Sequence, residues 1–232
     1  SQKFSLYGDL TVEENIDFFS GIYGIPDGRK KERKEDVMNA AGLIDLGGRI
    51  TDTLPIGWKQ RLALGCALIH EPAIVFLDEP TSGVDPIARL DFWKWIRALA
   101  DKGVTVFVTT HYMDEAENCD RLALIYRGAI IALGTPEELK TGDMANDVLR
   151  VTVEAPEEWL DRIRHLPGVK ETALFGVAMH AIVERGSDAV SSIKEHLQRE
   201  KAGSFEVRKI KPSLEDVFVS LIEEHDEGGR EE

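Results

Sequence analysis

Two short apolar runs rich in β-branched residues, Ala73-Ile-Val-Phe-Leu77 and Val104-Thr-Val-Phe-Val108, most tightly limit what this chain can become. Continuous apolar character, without alternation, is expected of strands covered on both faces. Between them, Pro86 to Lys102 carries Leu90, Trp93, Ile96 and Leu99 at helical spacing. Strand, helix and strand of these lengths make a βαβ unit, which demands a parallel sheet and a right-handed crossover. The fold class is therefore α/β.

Helices precede this unit. Thr11-Val-Glu-Glu14 has the capping-box pattern and opens a helix to about Tyr23. Gly24 to Gly28 breaks it; Glu32 to Ala41 forms a second helix closed by Gly42, and Trp58 to Ile69 a third, ended by Pro72. After the unit, Leu122 to Tyr126 and Ala129 to Leu133 are joined at Arg127-Gly128 as a hairpin. Past Asp143 the rhythm changes. Leu149 to Glu154 reads as a strand, Glu157 to Leu166 as a helix, and Lys170 to Phe175 with Val177 to Glu184 as a hairpin about Gly176. Asp188 to Glu200 is amphipathic, Phe205 to Ile210 is a last strand, and Ser213 caps a helix over Leu214 to Glu224. The order β-α-β-β-α-β is the ferredoxin-like plan, so a domain boundary is expected near 143–149.

With 232 residues, 43% of them apolar, a core is attainable without disulfide or metal staples. The 28 Lys and Arg against 42 Asp and Glu leave a net charge of −14. The deficit is even, with 16 basic and 24 acidic groups up to residue 148, and 12 and 18 beyond. Such a chain is repelled by phosphate backbones, which argues against nucleic acid as a partner. The basic run around Lys30 and Lys34 leads into Glu35 and Asp36 and reads as a solvated helix face. No apolar run approaches the ~18 residues of a membrane span, and no leader pattern opens the sequence. Cys66 and Cys119 lack a C-x-x-C partner, as suits a reducing cytosol, and the remaining histidines show no metal-ligand spacing. A first residue of Ser suggests a trimmed N-terminus.

The chemistry-bearing residues follow the two strands. Asp78 and Glu79 stand at the C-terminal end of the first, where open α/β sheets place ligands. Asp78 suits a Mg²⁺ and water shell, and Glu79 the deprotonation of an attacking water; the bland alternative is a pair that caps a strand end. His111, just past the second strand, can bind developing phosphate charge, although a lone histidine there is usually a loop residue. In Thr81-Ser-Gly-Val-Asp85-Pro86, Asp85 reads equally as an N-cap and as a catalytic group. Leu54, Pro55, Ile56, Gly57 and Trp58 lead into an apolar helix, whose free first-turn amides attract phosphate.

Taken in order, Gln2, Leu10 to Asn15, Leu54 to Arg61, Phe76-Leu-Asp-Glu-Pro80, Ser82-Gly-Val-Asp-Pro86 and Thr109-Thr-His111 resemble the nucleotide-binding subunit of ABC transporters. The resemblance covers about residues 1–140, and Lys211 to Phe218 looks like the C-terminal extension of the drug- and polysaccharide-export branch. It implies a partial P-loop NTPase (RecA-like) sheet with a helical subdomain over 1–142, divided at 72/73. A ferredoxin-like domain over 143–224 and an acidic disordered tail over 225–232 would follow. In those terms Gln2 is a Mg²⁺ and water ligand in the Q-loop, residues 54–58 the signature loop, and Asp78 and Glu79 the Walker B pair. Asp85 is then the D-loop aspartate and His111 the switch histidine. ATP and Mg²⁺, a membrane permease subunit, and a homo- or heterodimer of ATPase subunits at the inner membrane face are implied with them.

Two departures qualify that picture. The usual L-S-G-G-Q is Leu54-Pro-Ile-Gly-Trp58 here, which loses up to two donors to phosphate, each worth ~1.5–3 kcal/mol. No G-x-x-x-x-G-K-[ST] occurs in the sequence, so a longer ATPase truncated before the Q-loop and lacking its phosphate cradle is expected, inactive in this form. An uncovered apolar sheet face, with poor stability or self-association, is expected with it. The alternative function is a non-catalytic regulatory module built on the C-terminal domain.

Overall fold

The computed structural model of the chain describes residues 6–142 and 146–228. The chain divides into two compact units at His111 and Tyr112.

The first unit opens with α1 (Val12–Ile22). Thr11 Oγ1 accepts from the Glu14 amide while Glu14 Oε2 accepts from the Thr11 amide, so the expected capping box is formed. Helix α2 (Asp27–Ala41) starts five residues earlier than expected, because Pro26 fits a helix start, and it ends at Gly42 with φ 69°. Helix α3 is Ile56–Leu68. Val12, Ile16, Val37, Ala41, Leu43, Leu62 and Ile69 form the core of these helices. Asn15, fully buried, fastens them to the preceding turn. Its side chain accepts from the Tyr7 amide and donates to Tyr7 O and Thr51 Oγ1 at 2.9–3.0 Å.

Strand β1 (Ile74–Asp78), helix α4 (Pro86–Asp101) and strand β2 (Thr105–Thr109) complete the unit, and the strands pair parallel from Ile74↔Thr105 to Asp78↔Thr109. The expectation of strands covered on both faces is corrected here. Val75 is buried, but Phe76 is 75% and Phe107 58% exposed, and Ile74 is exposed as well. With two strands and helices packed on one side, the alternate residues have no layer over them among the described residues.

The second unit begins with α5 (Met113–Ala116) and a hairpin of β3 (Leu122–Tyr126) and β4 (Ala129–Gly134). Arg127 and Gly128 both take positive φ, as a two-residue hairpin turn requires. After α6 (Pro136–Thr141) come β5 (Asn146–Thr152), α7 (Leu160–Arg164), β6 (Val169–Phe175), β7 (Ala178–Glu184), α8 (Ala189–Arg199), β8 (Glu206–Ile210) and α9 (Leu214–Gly228). The expected helix over 157–166 is split into a 3₁₀ turn at Pro156–Glu158 and α7, following a left-handed residue at Ala155. The strands form one antiparallel sheet in the order β6-β7-β5-β8.

Alternation divides that sheet between two layers. Leu149, Val151, Met179, Ala181, Val183 and Val207 pack with Ile163, Ile193 and Leu197 beneath α7 and α8. Val148 and Ile210, on the opposite face, pack with Val217 and Leu221 of α9, which also reach Leu124 and Ile131 of the hairpin. The hairpin thereby joins the four-stranded sheet in one compact unit. Helix α9 passes its expected end at Glu224, because Asp226 is anchored by the Tyr126 hydroxyl and the Arg127 guanidinium, both at 3.1 Å. Residues 225–228 thus continue the helix; 229–232 lie outside the described residues. No helix among the described residues is long and apolar enough to cross a membrane.

Candidate functional site

Parallel pairing carries the ends of β1 and β2 to one edge, so the residues just after them meet. Asp78 lies opposite Thr109, whose Oγ1 donates to Asp78 Oδ1 at 2.5 Å. The ladder extends one step further, with the Glu79 amide donating to Thr109 O at 3.0 Å. Glu79 then adopts φ 47°, a left-handed conformation that costs a bulky side chain of order 1 kcal/mol or more. That turn swings its carboxylate toward the end of β2, where His111 Nδ1 stands 2.6 Å from Glu79 Oε2. The contact is an ion-pair approach, since Oε2 is buried and accepts no aligned hydrogen bond from a described residue. Glu79 is one-third exposed and His111 61% exposed, so a ligand can reach both.

A cleft of about 340 Å³ opens beside this edge. Phe76, Leu77, Asp78, Glu79 and Pro80 line one side, with Phe19 and Tyr23 of α1 and Ala63 and Ala67 of α3 opposite. Its volume lies in the range of small-molecule sites, and Asp78, Glu79 and Gln60 stand among apolar and aromatic lining residues. Asp78, exposed and steadied by one hydroxyl, fits a Mg²⁺ ion, which takes one or two carboxylates and keeps several waters. Among the described residues no group of three or more His, Cys, Asp or Glu is arranged to hold a metal by itself.

Leu54, Pro55, Ile56, Gly57, Trp58 and Asp85 form a second group, and none of them lines the cleft. Pro55 is the N-cap of α3 and no side chain caps that helix, so the first-turn amides of Ile56 and Gly57 project from its end. Gly57 lies against the segment after Glu79: a Cβ placed there would touch Val84 and Ala88 at 3.5 and 3.7 Å. Gly83, with φ +75°, sits equally close to Ile56. Asp85 Oδ1 accepts from the amides of Ile87 and Ala88 at 3.1 and 3.0 Å and so caps α4. Leu54 is buried in the helical core and Trp58 lies beneath the Arg61 guanidinium. Gln2 lies outside the described residues.

Gln60 connects the two groups, a role that spacing alone did not reveal. It is 8% exposed, lines the cleft, and donates through Nε2 to Ser82 O at 3.1 Å. A polar residue on the apolar stripe of α3 was the available signal. Thr109 was visible as a strand end and as the start of the Thr109-Thr-His111 motif, without its bond to Asp78.

Comparison with known proteins bears on the same segments. Residues 1–82 match the ABC transporter family. The probable multidrug ABC transporter ATP-binding protein YbhF of Escherichia coli is 58% identical over 147 residues, which cover 63% of this chain and 25% of YbhF. The linearmycin resistance ATP-binding protein LnrL of Bacillus subtilis is 30% identical over 224 residues, covering 95% of this chain and 72% of LnrL. The daunorubicin/doxorubicin resistance ATP-binding protein DrrA of Streptomyces peucetius is 33% identical over 230 residues, covering 95% and 68%. The matched part thus spans a quarter of YbhF and about two-thirds of the other two.

Proposed function

The chain belongs to the ATP-binding proteins of ABC transporters, and on that premise we propose that its β1–β2 edge hydrolyses ATP to drive export through a membrane permease. The observation that carries this reading is the meeting of Glu79 and His111 at 2.6 Å beside Asp78. Glu79 accepts the proton of the water that attacks the γ-phosphorus, and the bond to the ADP oxygen breaks. His111 donates a hydrogen bond to a γ-phosphate oxygen and, in contact with Glu79, fixes the direction of that carboxylate. Asp78 would hold Mg²⁺; Gln2 is assigned to the same ion on the family resemblance alone. When bound, the ion neutralises phosphate charge.

The amides of Ile56 and Gly57, in the loop from Leu54 to Trp58, serve the nucleotide of a second ATPase subunit, and Asp85 couples the two sites from the head of α4. Pro55 supplies no donor, so this contact is weaker than one made by serine. No G-x-x-x-x-G-K-[ST] occurs in these 232 residues, so the amides and lysine that such a loop brings to the phosphates are not assigned to any residue here. The names of the relatives, multidrug, linearmycin and daunorubicin/doxorubicin, support drug-like cargo; the working place that goes with the proposed permease is the cytoplasmic face of the membrane.

For the C-terminal residues 143–224 the reading is a ferredoxin-like domain with a regulatory role. The strand order β6-β7-β5-β8 with its two intervening helices supports it.

The test is ATP hydrolysis by the complete transporter ATPase at increasing Mg²⁺. Asp78→Asn is expected to need at least tenfold more Mg²⁺ for half-maximal rate and to lower the maximum. An unchanged Mg²⁺ dependence would remove Asp78 from the site.

A further inference from the structure

The sheet of the second unit carries two neighbouring arginines that the hydrolytic reading does not use. Its registers place Ala173, His180, Arg150 and Arg208 side by side across β6, β7, β5 and β8. Residues directly opposite in antiparallel strands share a face. This is the face of α9, since His180 Nδ1 meets Asp216 Oδ1 of that helix at 2.9 Å.

The charges along this row are unevenly answered. His180 and Asp216, each about 5% exposed, satisfy one another, and Asp216 Oδ2 also takes the amide and hydroxyl of Ser213. Elsewhere on the sheet the cations are paired, Lys209 with Asp147 at 2.7 Å and Lys170 with Glu184 at 3.2 Å. Arg150 and Arg208 are the exceptions: neither has a side-chain hydrogen bond or ion pair among the described residues. Glu206, two residues before Arg208 on the same face, forms no ion pair with either, and Glu215 of α9 lines a small cavity at His180 instead. Arg150 is half-buried and Arg208 exposed.

Like charges directly opposite on neighbouring strands are destabilising, and a partly desolvated guanidinium without a partner adds to the cost. In a chain of net charge −14, this pair is an anomaly that chance neutralisation by its own carboxylates would easily have removed. We propose that Arg150 and Arg208 form a binding site for a phosphate group. Each guanidinium presents a fork of donors matched to two oxygens, and two forks abreast suit a tetrahedral dianion better than a single carboxylate. The phosphate can be free in solution or borne by a lipid headgroup. In either case, binding removes the repulsion across the β5–β8 pair and stiffens the sheet on which α9 rests.

The test uses the full chain, with the Nε–Hε signals of Arg150 and Arg208 followed by NMR at constant ionic strength. One arm adds inorganic phosphate, the other phosphatidylcholine vesicles containing phosphatidic acid. Saturable perturbation of both signals in either arm is expected, and the arm that responds identifies the source. The response should disappear in Arg150→Gln and fall at least tenfold in affinity in Arg208→Gln. Without anion, Arg208→Gln should melt at the same temperature as the wild type or a few degrees higher, because it removes the opposed charge. Linear, non-saturating shifts in both arms, equal binding by Arg150→Gln, or a lower melting temperature for Arg208→Gln without anion would overturn the proposal.

Discussion

Thr109 Oγ1 donates a 2.5 Å hydrogen bond to Asp78 Oδ1 across the only parallel strand pair among the described residues, so the end of β2 positions the carboxylate that ends β1. A ligand carboxylate oriented by a neighbour loses affinity for its metal, typically 10–100-fold, when that neighbour is removed. Thr109→Val keeps the shape and deletes the donor. We expect a Mg²⁺ requirement for ATP hydrolysis raised about tenfold, with the melting temperature within a few degrees of wild type. A large loss of stability would instead make the bond structural.

Asp85 is expected to act first as a helix cap. Asp85→Ala removes the acceptor for the Ile87 and Ala88 amides and should cost about 1 kcal/mol in urea unfolding, whereas Asp85→Asn, which also caps, should cost a few tenths. If Asp85→Asn keeps stability but loses coupled hydrolysis between subunits, the carboxylate has the second role assigned to it. Equal loss of stability in both variants would contradict the capping account.

Asn15 is a buried crosslink, satisfied on every side. Asn15→Ala would strand the Tyr7 amide and the Thr51 hydroxyl, each buried or half-buried, at about 1–3 kcal/mol per group. Chemical denaturation should show a loss of roughly 2–3 kcal/mol. A change below 0.5 kcal/mol would mean water replaces the side chain at about no cost.

Burial pushes the Cys66 thiol up from 9.0 to about 12. Between those pH values the unfolded chain has released a proton that the folded chain retains, so stability falls as pH rises, by up to ~1.4 kcal/mol per pH unit. The effect is absent below about pH 8. Cys66→Ala should therefore flatten the decline of stability between pH 8.5 and 10. In the native protein at pH 8, iodoacetamide should modify Cys119 while leaving Cys66 intact. Parallel pH profiles for the two proteins would refute the assignment.

The sequence made the tip of the βαβ unit legible because its signals are local: an apolar strand, a carboxylate pair, a Pro-started helix and a histidine two residues past the second strand. Parallel pairing then brings Glu79 and His111 together without further information. The exposure of Phe76 and Phe107 was anticipated only through the family resemblance, because a continuous apolar run says how many faces want cover, not how many receive it. Gln60 and Thr109 fell within the quoted motifs, but their contacts were not legible because their partners, Ser82 and Asp78, are 22 and 31 residues away. The extension of α9 to Gly228 depends on Tyr126 and Arg127, about a hundred residues upstream, which no periodicity within the helix can report. The Arg150 and Arg208 pair needed strand register, the quantity a single sequence specifies least.

In the proposed reaction Glu79 takes the proton of the attacking water. The most direct test is single-turnover hydrolysis of γ-labelled ATP by Glu79→Gln in the complete transporter ATPase, read beside the oligomeric state. The rate should fall at least 10²-fold, with ATP retained uncleaved in a stable dimer. Wild-type hydrolysis by that variant would contradict that role.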